Sequence, residues 1–249
     1  MKLIQLNLWQ GRLLSNALEF MQQEQPDILC LQEVTSSEVE NPGFLDTNSL
    51  QTLLKELDLP NYFFSPRFSY QFMHSRALYG NCILSRYPIS NQETRFTHGD
   101  FVEDIVLNKD NHDMSNAQLA VLDLGKHSLN IINHHGYYQP NPVGNQTTTE
   151  SLQKLADWVA ELSGPAILAG DLNVWPKSPA LNSINSLGLN NLTSDYAIRS
   201  TLSEIHQAPN KNEVACDYVF TSKDIKVTDF HVMEKLVSDH KALVLEFEL

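Results

Sequence analysis

The chain has 249 residues, 42% of them hydrophobic, enough to bury a sizeable core without disulfide or metal staples. It carries 17 Lys and Arg against 30 Asp and Glu, a formal charge of −13. That excludes the broad attraction for nucleic acid that a basic face provides, though not a local basic or metal-lined cleft.

Residues 3–8 alternate polar and apolar and are rich in Leu and Ile, which predicts a strand. The opening "MKLIQLNLW" lacks the uninterrupted apolar stretch of a signal peptide. A helix is expected from about Leu13 to Gln23, with Leu14, Leu18 and Met21 at helical spacing. "PDILCLQEV" is an apolar run after a Pro and reads as a buried strand. A second helix is expected over roughly Ser49 to Leu57. "YFFS", "GNCILS", "QLAVLDL" and "SLNIINH" read as further strands, and roughly residues 90–118 carry no recognisable motif.

"TTTESLQKLADWVAEL" is the strongest helix. Leu152, Leu155, Ala156, Val159 and Leu162 form one apolar face, and Gly164-Pro165 ends it. Strand "AILAG" follows, then a short helix near Pro179 to Leu187. The tail holds three strands, "CDYVF", "IKVTDFHV" and "ALVLEFEL". With no repeat, low-complexity segment or linker, residues 1–249 read as one domain. Many strands with few helices predict stacked sheets flanked by helices, an α+β or α/β sandwich.

Cys30, Cys82 and Cys216 lie far apart without metal-type spacing. They read as small core residues in a reducing compartment. No apolar run is long enough to span a bilayer. A cytoplasmic location without a membrane anchor is therefore expected. The glycosylation sequons at Asn145 and Asn191 are read as chance.

The out-of-place polar residues share one position: they sit at strand ends. Asn7 closes the first strand and Glu33 the second; His134 and His135 close "SLNIIN". Asp171 and Asn173 follow "AILAG", Asp217 opens "CDYVF", and Asp239-His240 precedes "ALVLEFEL". In antiparallel pairs the end of one strand lies beside the start of its neighbour, so this set can gather at one rim. Each residue alone has a plainer reading. Gly-Asp-x-Asn is good turn chemistry, a lone His is usually structural, and Asp217 or Asp239 suits a cap or an Asx turn.

Together the residues describe metal-assisted phosphoester hydrolysis. Glu33, Asp239 and Asn7 are hard oxygen ligands suited to magnesium or manganese, and no Cys/His cluster argues for zinc. The histidines suit a developing phosphorane, Asp171 a nucleophilic water and Asn173 a phosphate oxygen.

In chain order "LNLW", "PDILCLQEV", "YGNCILSRYPI", "NHHG", "GDLN", "CDYVFTS" and "SDHKAL" resemble the motifs of the endonuclease/exonuclease/phosphatase hydrolases. The resemblance implies a four-layer α/β sandwich, two packed sheets with helices outside. It implies Glu33 as principal metal ligand, assisted by Asn7 and Asp239. It also implies that Asp171 activates water with Asn173 as its phosphate-binding partner, and that Asp217 orients His240 on the scissile phosphate. His135 matches the family's His or Tyr in the motif begun by Asn133; His134 is one residue off and ranks below it.

Two departures bear on substrate. "GYYQPNPVGNQTTTE" lacks an Arg that many relatives carry there. No Lys/Arg-rich loop is evident, although Arg76, Arg86 and Arg95 fall between Met73 and Phe96. The expected activity is that of a magnesium-dependent phosphoesterase of unassigned substrate. The alternatives are a DNA or RNA nuclease, an inositol-phosphate phosphatase, a sphingomyelinase-like enzyme, and a silent binding protein that keeps the fold. Trp9, Tyr137, Tyr138 and Trp175 near the expected rim suit stacking on a base or sugar, with plain packing as the simpler reading.

Overall fold

The computed structural model describes residues 1–37, 48–72, 75–106, 114–208 and 211–249. In chain order the elements are β1 (Lys2–Asn7), α1 (Leu14–Glu24), β2 (Ile28–Ser36), α2 (Ser49–Glu56), β3 (Asn61–Phe72) and β4 (Ser75–Ser85). They continue with β5 (Ile89–His98), β6 (Ser115–Asp123), β7 (Ser128–His135), α3 (Gln146–Ala160), β8 (Ala166–Asp171) and α4 (Asn182–Asn185). β9 (Asn190–Asn191), α5 (Leu192–Asp195), β10 (Asp217–Thr221), β11 (Lys226–Val232) and β12 (Leu243–Glu248) complete the chain.

Two six-stranded sheets result, ordered β11-β12-β1-β2-β4-β3 and β5-β6-β7-β8-β10-β9. Each is mixed, because β1 runs parallel to β2 and β7 parallel to β8 while the other pairs are antiparallel.

Strand periodicity sorts the apolar residues into three layers. Ile4, Leu6, Leu29 and Leu31 turn outward and meet Phe20 and Met21 of α1 and Leu50 and Leu53 of α2. Leu168, Tyr218 and Phe220 turn outward from the second sheet and meet Leu152, Leu155 and Trp158 of α3. Leu3, Cys30, Ile83, Leu245, Ile131, Ile167 and Val219 face inward and seal the sheets together. The order is therefore helices, sheet, sheet, helices, the expected α/β sandwich.

The inward face changes character along every central strand. On β1 it runs Leu3, Gln5, Asn7; on β7 it runs Ile131, Asn133, His135; on β8 it runs Ile167, Ala169, Asp171. Apolar packing thus gives way to amides and then to ionisable groups at one rim. The amides are all buried and linked in a chain, with only Gln5 Oε1 left without a partner among the described residues. Gln5 Nε2 donates to Gln32 Oε1 at 2.9 Å, Gln32 Nε2 to Asn133 Oδ1 at 2.6 Å, and Asn133 Nδ2 to Gln118 Oε1 at 3.0 Å. Such groups are tolerated between sheets only when paired.

Three features differ from the sequence reading. β3 and β4 run far longer than "YFFS" and "GNCILS". β5 is an edge strand of mostly polar, exposed or half-buried residues, "ISNQETRFTH", so neither hydrophobicity nor alternation reveals it. The helix expected over Pro179–Leu187 is a 3-10 turn, Pro179–Leu181, followed by the single turn α4. Both sequon asparagines cap helices: the Asn145 side chain accepts from Thr148 N at 3.0 Å, and Asn191 from Ser194 N at 3.1 Å. Among the described residues no helix is long and apolar enough to cross a membrane.

His134 and His135 alternate across β7, so they face opposite sides. His134 points away from the rim, is 0% exposed, and its Nε2 lies 3.0 Å from Thr97 Oγ1. Burial, helped by the charge of Arg67, pulls its pKa from 6.5 down to about 3. The ring is neutral when folded, whereas the unfolded chain takes up a proton below pH 6.5. Stability is therefore whole above that pH and lost as pH falls toward 3. Going from about pH 7 to about pH 5, this one group should cost on the order of 2 kcal/mol. Urea unfolding of His134→Gln should show that increment missing; identical pH dependence in mutant and wild type would contradict it.

Candidate active site

The polar ends of the central strands converge where the two sheets open. β1 delivers Asn7, which is 1% exposed. Its Nδ2 donates to Glu33 Oε1 at 3.2 Å and to Asp171 Oδ2 at 3.1 Å, while its Oδ1 accepts from Trp9 N at 2.9 Å. One amide thus ties a carboxylate of the first sheet to a carboxylate of the second. The Trp9 turn that helps hold it is left-handed, with φ of 49°, 56° and 76° at Trp9, Gln10 and Gly11.

Glu33 sits in a bulge of β2. The pairing with β4 shifts between Leu31 and Val34, and Glu33 has φ 57°. A regular strand would alternate Glu33 to the face opposite Gln32. The extra residue lets both turn inward, while Val34 resumes the outer, helix-facing side.

Asp171 ends β8 and is the hub. It pairs in register with Asp217 of β10 and with His135 of β7. Its Oδ2 lies 3.8 Å from Nε2 of both His135 and His240, and its Oδ1 accepts from Asn173 N at 3.0 Å. Burial and the nearby Asp217 charge push its pKa up to about 7; His240 and the hydrogen bonds from Asn7 and Asn173 hold it from rising further. Asn173, at φ 56°, turns its side chain back so that Nδ2 donates to Gly136 O at 3.1 Å. Asn tolerates this left-handed geometry better than most residues.

Asp217 is 0% exposed and fully engaged. Its Oδ1 accepts from Gln5 Nε2 at 3.0 Å and its Oδ2 from His240 Nδ1 at 2.9 Å. Burial disfavours the charged imidazolium of His240, but the carboxylates of Asp217 and Asp171 and the bond to Asp217 prevail, and its pKa stands well above the usual 6.5. Asp239 precedes His240 on the half-buried side. Burial raises its pKa, with the nearby Glu33 adding to the rise and His240 opposing it.

Of the nine strand-end residues, eight therefore belong to one connected constellation, and His134 stands outside it on Thr97. Two further side chains join it without having been singled out in the sequence. Arg67 on β3 is 3% exposed, with Nη1 2.7 Å from His135 Nδ1 and Nη2 on the Met114 carbonyl. His206, in the loop before β10, has Nε2 3.9 Å from Asp239 Oδ2 and its ring 5.7 Å from that of His240. Arg67 carried a weak signal, a lone cation within an otherwise apolar and small-residue strand. His206 carried none.

Buried acidic and histidine groups here lie close enough to hold a metal ion: Asp171, Cys216, Asp217 and His240 form one such group, and His206, Asp239 and His240 another. In the first group burial holds the Cys216 thiol protonated, and Asp217 and His240 are spent on each other. The aromatics divide. Trp175 packs with Leu202, Val214 and Cys216; Trp9 lies under the Arg12 guanidinium at 4.6 Å; Tyr137 meets the His98 ring at 4.7 Å; Tyr138 is 53% exposed.

Residues 4–240 match the Endonuclease/Exonuclease/phosphatase family. The chain belongs to the endonuclease/exonuclease/phosphatase family. Members of this family are hydrolases acting on phosphoesters. A UPF0294 protein of Klebsiella pneumoniae is 28% identical over 109 residues, covering 42% of this chain and 37% of that protein, so the match spans little more than a third of the relative's length. Two solved structures superpose on the whole chain. The mannosyl-6-phosphatase Bt3783 of Bacteroides thetaiotaomicron has a TM-score of 0.69 at 17% identity, covering 100% of both chains. D. rerio TDP2, complexed with single strand DNA product, has a TM-score of 0.70 at 14% identity, covering 100% of this chain and 99% of that one. At these identities the likeness is one of fold.

The segments "NHHG" and "GDLN" interlock through glycines. Gly170 has φ 154°, and a Cβ there would meet His134 O at 2.0 Å; a Cβ on Gly136 would meet Leu172 O at 2.3 Å. Both obstacles are backbone and cannot swing aside. Gly170→Ala should therefore cost about 3 kcal/mol or more by forcing β7 and β8 apart. Denaturant titration checks this, and a midpoint like that of the wild type would contradict it.

Proposed function

We propose that the chain is a metal-dependent phosphoesterase that hydrolyses its substrate by attack of water. One observation carries the reading: Asp171, buried and with its pKa pushed up to about 7, stands between the Asn7–Glu33 pair and the Asp217-held His240. A carboxylate poised near neutrality can orient a water and take its proton.

The donor chemistry fits a hard divalent ion. Glu33, Asn7 and Asp239 offer oxygens only, which suits magnesium, with manganese as the alternative. Glu33 would be the principal ligand, and Asp239 would assist. Asn7 would offer the second lone pair of its Oδ1, the first being engaged by Trp9 N, while its amide nitrogen tethers Glu33 to Asp171. When bound, the metal would supply Lewis-acid stabilisation of the charge that develops on phosphorus oxygens.

The chain's own groups divide the remaining tasks. Asp171 orients the water. His240, charged and aimed by Asp217, contacts the phosphate. His135 reaches the same place from the end of β7, and Asn173 holds a phosphate oxygen with the amide N–H it does not give to Gly136 O.

The arginines bear on substrate. Arg76 is paired to Asp104 at 2.9 Å, Arg86 to Asp27 at 3.0 Å, and Arg95 to Glu93 and Glu161 at 2.7 and 2.8 Å. None of these three is left to track a nucleic-acid backbone. This favours a compact phosphoester, as in the phosphatase relative, over the nuclease reading.

The test is a panel assay with magnesium, manganese and a chelator against sugar phosphates, inositol phosphates, a generic bis-phosphoester, sphingomyelin, RNA, and single- and double-stranded DNA. Turnover of at least one phosphoester, abolished by chelation, is expected. Glu33→Ala should lower that turnover by about a thousandfold or more with little change in stability, because it removes a rim carboxylate rather than a core contact. Calorimetric titration of magnesium into Glu33→Ala should show lost affinity; affinity equal to the wild type would overturn the ligand assignment.

A further inference from the structure

The two imidazoles that flank Asp171 have opposite partners behind them. His240 gives its Nδ1 proton to a carboxylate, Asp217, at 2.9 Å. His135 faces a guanidinium instead, with Arg67 Nη1 2.7 Å from its Nδ1. A guanidinium has five N–H donors, no acceptor, and is not deprotonated in proteins. Burial lowers the Arg67 pKa, with Tyr79, Glu33 and Asp171 opposing the fall; the group is charged because arginine keeps its proton in proteins. At that distance the hydrogen bond can run in one direction only, from Arg67 to Nδ1.

We infer that Arg67 is a positioning residue that fixes His135 as the neutral tautomer, with its lone pair on Nδ1 and its single proton on Nε2, the nitrogen facing Asp171. Its part in turnover rests on the phosphoesterase reading above. The tautomer assignment does not.

The placement of Arg67 supports a dedicated role. It occupies a bulge in β3, where pairing with β4 shifts between Pro66 and Phe68, so an extra residue is turned inward. Among the described residues no carboxylate lies within ion-pair distance of it; the Tyr79 ring at 6.0 Å and the more distant charges of Glu33 and Asp171 are its compensation. A buried cation without a direct counter-ion is costly. The cost is intelligible if the guanidinium is there to hold a ring.

The chemical consequence is a division of labour. A neutral imidazole with Nε2–H can donate a hydrogen bond to a phosphoryl oxygen but cannot release that proton near neutral pH. It stabilises charge and does not act as an acid. The proton inventory of the reaction then lies with Asp171 and His240.

The test begins with the full-length wild type labelled with 15N at its histidines. Long-range proton–nitrogen correlations at neutral pH report which ring nitrogen is protonated, and His135→Gln assigns the signal. The expected pattern for His135 is the neutral Nε2–H form, beside a doubly protonated pattern for His240. An Nδ1–H or doubly protonated His135 would overturn the inference. Arg67→Lys, which can still donate to Nδ1, should keep the pattern, and Arg67→Met should lose it to exchange between tautomers.

In the panel assay Arg67→Met should lower kcat about tenfold to a hundredfold with KM little changed, and Lys should recover much of the loss. A loss confined to KM would assign Arg67 to binding instead. The spectra need no turnover, so they decide the tautomer even if Arg67→Met fails to fold. An inactive protein with the expected spectra would refute the phosphoesterase reading alone. An active one with an Nδ1–H His135 would refute this inference alone.

Discussion

The site depends on a bridging amide. Asn7 is the point where the two sheets, sealed by apolar packing lower down, are coupled through hydrogen bonds to carboxylates of both. Its register is set from below by the buried ladder of Gln5, Gln32, Asn133 and Gln118, and Gln5 extends that ladder to Asp217. Two sheets held only by Leu and Ile can slide by small amounts at little cost, since apolar contact is non-directional. A ladder of amides cannot, because each misplaced member leaves a buried donor or acceptor unpaired. The polar middle of the sandwich thus turns loose stacking into defined placement of the rim.

Given that placement, neighbours rather than residue types decide the state of each ionisable group. Four histidines lie near the rim or beneath it, and no two share an environment. His240 is charged by Asp217; His135 receives a hydrogen bond from Arg67; His206 accepts the Ala208 N–H at its Nδ1, at 3.0 Å; His134 is sunk in the core and neutral. The same logic sets Asp171 apart from Asp217. Both are buried and hydrogen-bonded, Asp217 by Gln5 and His240 and Asp171 by Asn7 and Asn173 N, but Asp171 also has its pKa raised by burial and by the charge of Asp217. Carboxylates placed in contrasting environments are the usual means of separating roles at one site.

Much of this was legible in the sequence because it follows strand periodicity. The strands that carry the site are short, apolar and central, so their ends could be read from the break in hydrophobicity at Asn7, Asp171 and Asp217. The bulge at Glu33 could not. Nothing in "LQEV" signals that one residue is inserted against β4, and regular alternation would have turned Glu33 outward. β5 was invisible because an edge strand is selected for polarity, and its Arg95 is spent on Glu93, Glu161 and the Trp158 ring. Arg67 and His206 were missed for a different reason. They lie far from any motif, at positions whose meaning comes only from what they touch, and a cation is normally read as a solvated surface group.

The oxygens of Glu33 and Asp239 at this rim are proposed to hold the divalent ion that serves the reaction. Diffraction from crystals soaked in manganese, recorded at a wavelength where manganese scatters anomalously, tests this assignment most directly. An anomalous peak is expected on the Glu33 carboxylate, in the cleft beside Asp171 and Asp239. A peak seated instead among Asp171, Cys216, Asp217 and His240, or no peak against Glu33 at saturating manganese, would contradict the assignment.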